Sequence, residues 1–135
     1  MECILYTDGG ARNNPGPAGA GFVIQDKRGK IVATGKKYLG ERTNNEAEYE
    51  ALILGLKKAI ELGIEEIQVS MDSELVVRQM NRDYKVKDLE LSKLFLKVWN
   101  LAGQFKKISY HHIPREKNTL ADGLVNEILD ENLKV

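Results

Sequence analysis

The segment TNNEAEYEALILGLKKAIELGIEEIQVSMD, residues 43–72, predicts a helix followed by a strand. Thr43, followed three residues later by Glu46, is a capping box, in which two side chains satisfy N–H groups at a helix start. We therefore predict a helix over Asn44–Leu62, which Gly63 is placed to end. A helix leading into a strand is typical of the crossover that joins strands of one sheet.

The regions on either side of this segment complete an α/β pattern. Three strands joined by turns are predicted before the helix, at Glu2–Asp8, Gly19–Gln25 and Lys30–Leu39. The elements predicted from the crossover onward are a strand at Glu65–Met71, helices at Ser73–Asn81 and Asp88–Gly103, a strand at Lys106–Ile113, and a helix capped by Asn118 that runs to about Asp130. This order predicts a mixed sheet with helices on its faces.

Length and composition exclude several classes of protein. The chain has 135 residues, of which 42% are hydrophobic and 30% charged, so we predict a single domain over residues 1–135. Its only cysteine, Cys3, excludes an internal disulfide, and the longest apolar run, Ala51–Leu56, cannot span a bilayer. With an acidic Glu2 and no basic leader, we expect a soluble, cytoplasmic protein with no membrane or disulfide partner, and a monomer.

The charge is unevenly distributed although its formal total is zero. Residues 78–117 hold ten basic and four acidic side chains, a net of +6, so the remainder carries −6. Such a segment can present a phosphate-binding face, but it is equally consistent with a solvated, lysine-rich helix surface. In the same region, helical spacing predicts an apolar stripe of Leu91, Phe95, Trp99 and Ala102.

Four acidic residues occupy unusual places. Asp8 and Asp72 each end a predicted strand, so parallel strands would bring them to the same edge of the sheet. Glu48 shares a helix face with small apolar residues, and Asp122 borders the apolar stripe of the last helix. Each acid alone could be a cap or a solvated edge. Four clustered negative charges require a cation, and all-oxygen ligands suit Mg²⁺ or Mn²⁺.

Four motifs closely resemble those of the type 1 ribonuclease H family, ribonuclease HI. They are DGG at 8–10 with NPGPAG at 14–19, TNNEAE at 43–48, DS at 72–73, and NTLAD at 118–122. They occur in the family's order and cover nearly the whole chain. The resemblance implies a ribonuclease H-like fold: a five-stranded mixed sheet, second strand antiparallel, with helices on both faces.

The same resemblance implies an endonuclease that cuts the RNA strand of an RNA–DNA hybrid and leaves 5′-phosphate and 3′-hydroxyl ends. By position, the catalytic acids holding two Mg²⁺ ions, with Mn²⁺ as the alternative, would be Asp8, Glu48, Asp72 and Asp122. The residues touching the hybrid backbone or its 2′-hydroxyls would be Asn14, Thr43, Asn44 and Asn45.

The chain departs from better-known members in ways that leave questions open. It resembles the short form, without a basic protrusion or an N-terminal hybrid-binding domain, so hybrid affinity would either be weaker or rest on Lys85, Lys87, Lys93 and Lys97. His112 stands ten residues before Asp122, the spacing of the family's assisting histidine, but it could equally be a strand end without a catalytic role. The alternative functions are a catalytically silent nucleic-acid-binding module and another nuclease of the same broad fold.

Overall fold

The computed structural model describes residues 2–133 and contains one five-stranded sheet in the order β3-β2-β1-β4-β5. Its elements are β1 (Glu2–Ala11), β2 (Gly16–Asp26), β3 (Ile31–Arg42), α1 (Asn44–Glu61), β4 (Glu66–Met71), α2 (Glu74–Met80), α3 (Leu89–Ala102), β5 (Lys107–His112), a 3₁₀ turn (Arg115–Lys117) and α4 (Thr119–Asn132). Strand β2 is antiparallel to β1 and β3, whereas β1, β4 and β5 are parallel. The predicted element order and mixed sheet are confirmed, and the unpredicted 3₁₀ turn is the one addition.

The first three strands extend further than the sequence predicts, and β3 ends at Arg42 instead of Leu39. The glycine-rich stretch after Asp8 continues β1 to Ala11, and β2 begins at Gly16, because these residues pair across the hairpin. Gly9 also lies so close to α1 that a Cβ atom there would be 2.2 Å from the carbonyl oxygen of Ala47. The glycines therefore serve strand pairing and close helix approach.

The helices cover both faces of the sheet, as predicted. Leu5 and Ile24 pair across β1 and β2 and face α1, where a Cβ at Gly55 would lie 2.7 Å from Leu5 Cδ1. Gly21 has the opposite parity on β2 and faces α4, where a Cβ would lie 2.9 Å from the carbonyl oxygen of Ala121. The main apolar core lies on the α1 side. None of the described helices is long and apolar enough to cross a membrane.

The helix starts follow the predicted caps with one exception. The capping box of α1 is present: Thr43 N donates to Glu46 Oε1 at 2.8 Å, and Glu46 N donates to Thr43 Oγ1 at 3.2 Å. Asn118 occupies the N-cap position of α4, but its side chain makes no capping hydrogen bond, so that prediction is wrong. The Asn118 side chain turns into the protein interior instead.

The predicted apolar stripe of α3 is only partly buried. Leu91 and Val98 are the buried side chains of this helix, whereas Trp99 is 47% exposed. The Trp99 ring stacks on Phe95 with 5.9 Å between centroids, and the Arg82 guanidinium lies 5.4 Å from the ring centre. Trp99 is therefore a surface residue, because α3 packs against α1 with a different part of its circumference.

Candidate active site

Three acidic side chains meet at the point where the parallel pairing of β1 with β4 ends. The two strands are parallel and pair Thr7 with Met71, so the residues that follow, Asp8 and Asp72, lie side by side. Glu48 reaches the same point from α1, and one carboxylate oxygen from each of the three residues lies within 4.8 Å of the others. Strand order and helix register thus assemble the cluster that the sequence predicts.

Glu48 is held in place by the backbone of β1. The absence of a side chain at Gly9 lets α1 approach the strand, and Gly9 N donates to Glu48 Oε1 at 2.8 Å. The same close approach that requires glycine therefore points one oxygen of Glu48 toward the strand that carries Asp8.

Asp122 lies at the rim of the cluster. Its side chain is 31% exposed and lines an open cavity of about 330 Å³ together with the three clustered acids. Arg115, in the 3₁₀ turn, also lines this cavity, and its Nη2 is 3.6 Å from Asp122 Oδ1. The structure thus brings all four predicted acids to one cavity, three in a tight group and Asp122 beside them.

Burial and mutual repulsion raise the pKa of two of these acids. Asp8 is only 7% exposed, and burial first, then the charge of Asp72 and contact with Asp122, raise its pKa to about 8. Burial also raises the pKa of Glu48 well above its ordinary value, with the charges of Asp8 and Asp72 adding to the effect. The Gly9 N–H and Arg115 partly oppose that rise. Without a cation the cluster therefore holds protons near neutral pH.

The donor set fits a divalent cation. The three clustered side chains offer only carboxylate oxygens, which are the ligands that hard cations such as Mg²⁺ prefer. A cation bound there would replace the protons that the crowded carboxylates otherwise retain. The residues present therefore match the predicted metal site.

The predicted substrate residues divide between two neighbouring cavities. Asn44 lines the acidic cavity, whereas Asn14, Thr43 and Asn45 line an adjacent one of about 350 Å³. Two hydrogen bonds link the β1–β2 connection to the start of α1: Asn44 N donates to Asn14 Oδ1 at 2.9 Å, and Ala11 N donates to Asn44 Oδ1 at 2.8 Å. These asparagines therefore also hold the loop against the helix.

His112 and Arg115 occupy different positions relative to the acids. His112 ends β5, is exposed, and pairs in register with Met71, one residue before Asp72, but it does not line the acidic cavity. Arg115 does line that cavity and was missed by sequence reasoning. Its only sequence signal is its place three residues before the Asn-x-x-x-Asp motif, in a turn that was not predicted.

Comparisons with known proteins agree with this geometry. The model of the family described as "Reverse transcriptase-like" matches residues 6–128. Ribonuclease HI of Halobacterium salinarum is 40% identical over 93% of this chain and 63% of that protein. A crystal structure of RNase H1 from the same organism has a TM-score of 0.95 and 39% identity, covering 97% of this chain and 99% of that chain.

A further structure fixes the family. LC11-RNase H1, solved in complex with an RNA/DNA hybrid, is 47% identical to this chain with a TM-score of 0.94, covering 98% of this chain and 99% of that chain. The chain belongs to the ribonuclease H family. The "Bifunctional protein Rv2228c" of Mycobacterium tuberculosis is 46% identical over 96% of this chain, which spans 36% of that longer protein. The predicted ribonuclease H-like fold and the type 1 resemblance are therefore confirmed.

Proposed function

We propose that this ribonuclease H domain is a metal-dependent endonuclease that hydrolyses the RNA strand of RNA–DNA hybrids. The observation that carries the proposal is the group of Asp8, Glu48 and Asp72, in which one carboxylate oxygen from each residue lies within 4.8 Å of the others. The relative crystallised with an RNA/DNA hybrid supports the choice of substrate. The products would be 5′-phosphate and 3′-hydroxyl ends.

The four acids would hold the cofactor. Asp8, Glu48 and Asp72 would bind directly from the tight group, and Asp122 would complete the site from its rim. We propose two Mg²⁺ ions, with Mn²⁺ as the alternative. When bound, such ions supply Lewis-acid activation of water and stabilise the leaving oxygen of an in-line displacement. The Gly9 N–H, which donates to Glu48, fixes one ligand before any cation arrives.

The polar residues around the two cavities would select the substrate. Asn14, Thr43, Asn44 and Asn45 would contact the hybrid backbone or the 2′-hydroxyls of the RNA strand. An asparagine amide both donates and accepts hydrogen bonds, and so does a 2′-hydroxyl, which distinguishes RNA from DNA. Contacts to backbone rather than to bases would give little sequence preference.

Two further side chains would assist the reaction. His112 would transfer protons near neutral pH, because imidazole titrates in that range. Its position beside the strand that leads to Asp72 supports this role. Arg115 would place a fixed positive charge at the cavity that the negatively charged substrate enters. We also propose that residues 1–135 form one ribonuclease H domain that is monomeric and cytoplasmic.

The test is a cleavage assay on four labelled substrates: an RNA–DNA hybrid, duplex DNA, duplex RNA and single-stranded RNA. Each is incubated with Mg²⁺, with Mn²⁺ or with EDTA, and Asp8→Asn serves as the inactive control. We expect cleavage of the RNA strand of the hybrid alone, in the presence of metal. Hybrid binding without cleavage in either metal would indicate a silent binding module, and cleavage of duplex DNA would indicate another nuclease of this fold.

A further inference from the structure

Asn118 makes contacts that its place in the sequence does not suggest. It occupies the N-cap position of α4, where an asparagine side chain ordinarily accepts a hydrogen bond from the helix backbone. Here it makes no such bond and is only 1% exposed. Its Nδ2 donates to the carbonyl oxygen of Thr7 at 2.8 Å and to Asp72 Oδ1 at 3.2 Å.

These two bonds connect the elements that carry the acids. Thr7 precedes Asp8 on β1, and Asp72 directly follows β4. The backbone of Asn118 belongs to the same structure, because its carbonyl accepts a hydrogen bond from Asp122 N at 3.1 Å. One residue therefore touches the strand of Asp8, the side chain of Asp72 and the first turn of the helix that presents Asp122.

The amide group is chemically specific for this position. Both neighbours are acceptors, so the side chain must present two N–H donors from one nitrogen, which asparagine does and aspartate cannot. The other amide atom, Oδ1, is buried without a hydrogen-bond partner among residues 2–133. The side-chain oxygen of Asn118 is thus left without a partner in the described part of the chain, whereas both N–H groups of its amide nitrogen donate hydrogen bonds. We infer that the side chain is placed to make these two donated bonds.

We propose that Asn118 is a positioning residue that holds one oxygen of Asp72, so that the carboxylate meets a divalent cation in a fixed orientation with Asp8 and Glu48. This inference rests on the proposed metal-dependent function. Partners that orient ligating carboxylates commonly change metal affinity 10- to 100-fold when removed, because the free ligand must otherwise be ordered at binding.

The test measures Mn²⁺ binding by calorimetry on the intact chain, with the unfolding temperature recorded in EDTA. Asn118→Ala is expected to raise the Kd for Mn²⁺ about 10- to 100-fold. Asn118→Ser keeps one donor, so its Kd for Mn²⁺ should fall between those of Asn118→Ala and the original protein. If Asn118→Ala does not fold, the proposal is tested on Asn118→Ser. Asn132→Ala is the matched control, because Asn132 lies on the same helix and donates only to the exposed carbonyl of Ile128.

The outcomes separate a positioning role from a structural one. If the folded variants bind Mn²⁺ as the original protein does and only the unfolding temperature falls, Asn118 is structural and the proposal is overturned. The same preparations are assayed on the RNA–DNA hybrid. Weaker Mn²⁺ binding in Asn118→Ala, with an original protein that cuts no hybrid, would leave the positioning role standing and reject the proposed reaction.

Discussion

Asp8 is an acid that the fold places where its negative charge is unfavourable. It is nearly buried, it faces Asp72 and Asp122, and its pKa is raised to about 8. The unfolded chain releases this proton near pH 4, whereas the folded protein keeps it until about pH 8. The contribution of Asp8 to the free energy of unfolding is therefore fully present below pH 4 and is lost as the pH rises to 8.

The Asp8→Asn variant tests this cost directly. We expect it to be more stable than the original protein at pH 8 in EDTA, with an unfolding temperature higher by roughly 3–8 °C, because about 1–2 kcal/mol of repulsion and desolvation is removed. The difference should shrink toward pH 5. In Mg²⁺ the order should reverse, since only the original protein gains stability from the bound ion. Equal unfolding temperatures at pH 8 in EDTA would show that Asp8 carries no such cost.

Arg115 is the residue whose removal should change the pH dependence of cleavage. Its charge lowers the pKa of Glu48, so Arg115→Ala is expected to move the acidic limb of the pH–rate profile to higher pH and to lower kcat/KM about tenfold near neutrality. Arg115→Lys keeps the charge and should restore the limb. An unchanged pH–rate profile in Arg115→Ala would show that the Arg115 side chain does not influence the ionisation of Glu48 during cleavage.

At the scale of single residues, functional side chains can be predicted from the sequence when the residue type itself indicates the chemistry, as it does for clustered acids. Asp8 and Asp72 could be predicted to meet because each follows one of two paired residues on adjacent parallel strands, and helix register brings Glu48 to them. Asn118 could not be read correctly, because a capping asparagine and an inward-turned asparagine look the same in the sequence. The position of Arg115 depends on a 3₁₀ turn that the sequence pattern does not reveal.

At the scale of elements, the contact between β1 and the start of α1 decides the site. It needs a residue without a side chain at Gly9, where a Cβ would lie 2.2 Å from the Ala47 carbonyl oxygen and 2.6 Å from Glu48 N. These are backbone atoms, so they cannot move aside without shifting the helix. The sequence pattern predicted that this strand ends at Asp8, whereas β1 continues for three more residues to Ala11.

Gly9→Ala is therefore expected to lower the free energy of unfolding by about 2–4 kcal/mol and to weaken Mn²⁺ binding, because α1 must retreat and take Glu48 with it. Gly10→Ala is the matched control: nothing lies within 4 Å of its added Cβ, and its stability should stay within about 1 kcal/mol of the original. Urea titrations of both variants measure the difference. Similar losses of unfolding free energy in the two variants would show that the close approach of α1 is not the reason why residue 9 must be glycine.

At the scale of the whole molecule, the lysines of the basic segment do not all line one groove. Lys97 lines a groove between β3, α1 and α3 with Lys37 and Lys57. Lys85 lines a different groove beside Trp99, and Lys93 pairs with Glu90. The net charge of the segment could be predicted from the sequence. The distribution of its lysines between different grooves could not, because it depends on how α3 packs against α1.

Removing Lys85 and Lys87 together is expected to weaken hybrid binding and to flatten its salt dependence by about two units of log–log slope, one for each lost phosphate contact. The double variant of Lys37 and Lys57, which line the other groove and lie outside the basic segment, serves as the control with the same change in charge and should leave the slope unchanged. Binding isotherms at several salt concentrations give both slopes. If the slope of the salt dependence falls in the control variant instead, the hybrid binds at the other groove.

Because Trp99 lies at the surface, it can serve as an intrinsic fluorescence probe of binding. The chain has a single tryptophan, so all indole emission originates at the outer side of α3, beside the guanidinium of Arg82. Because this ring is already about half in water, we expect its emission maximum to shift little on unfolding, which makes fluorescence a poor gauge of stability here. A nucleic acid that docks beside Lys85 would instead quench that emission, and one that avoids this side of the molecule would leave it unchanged.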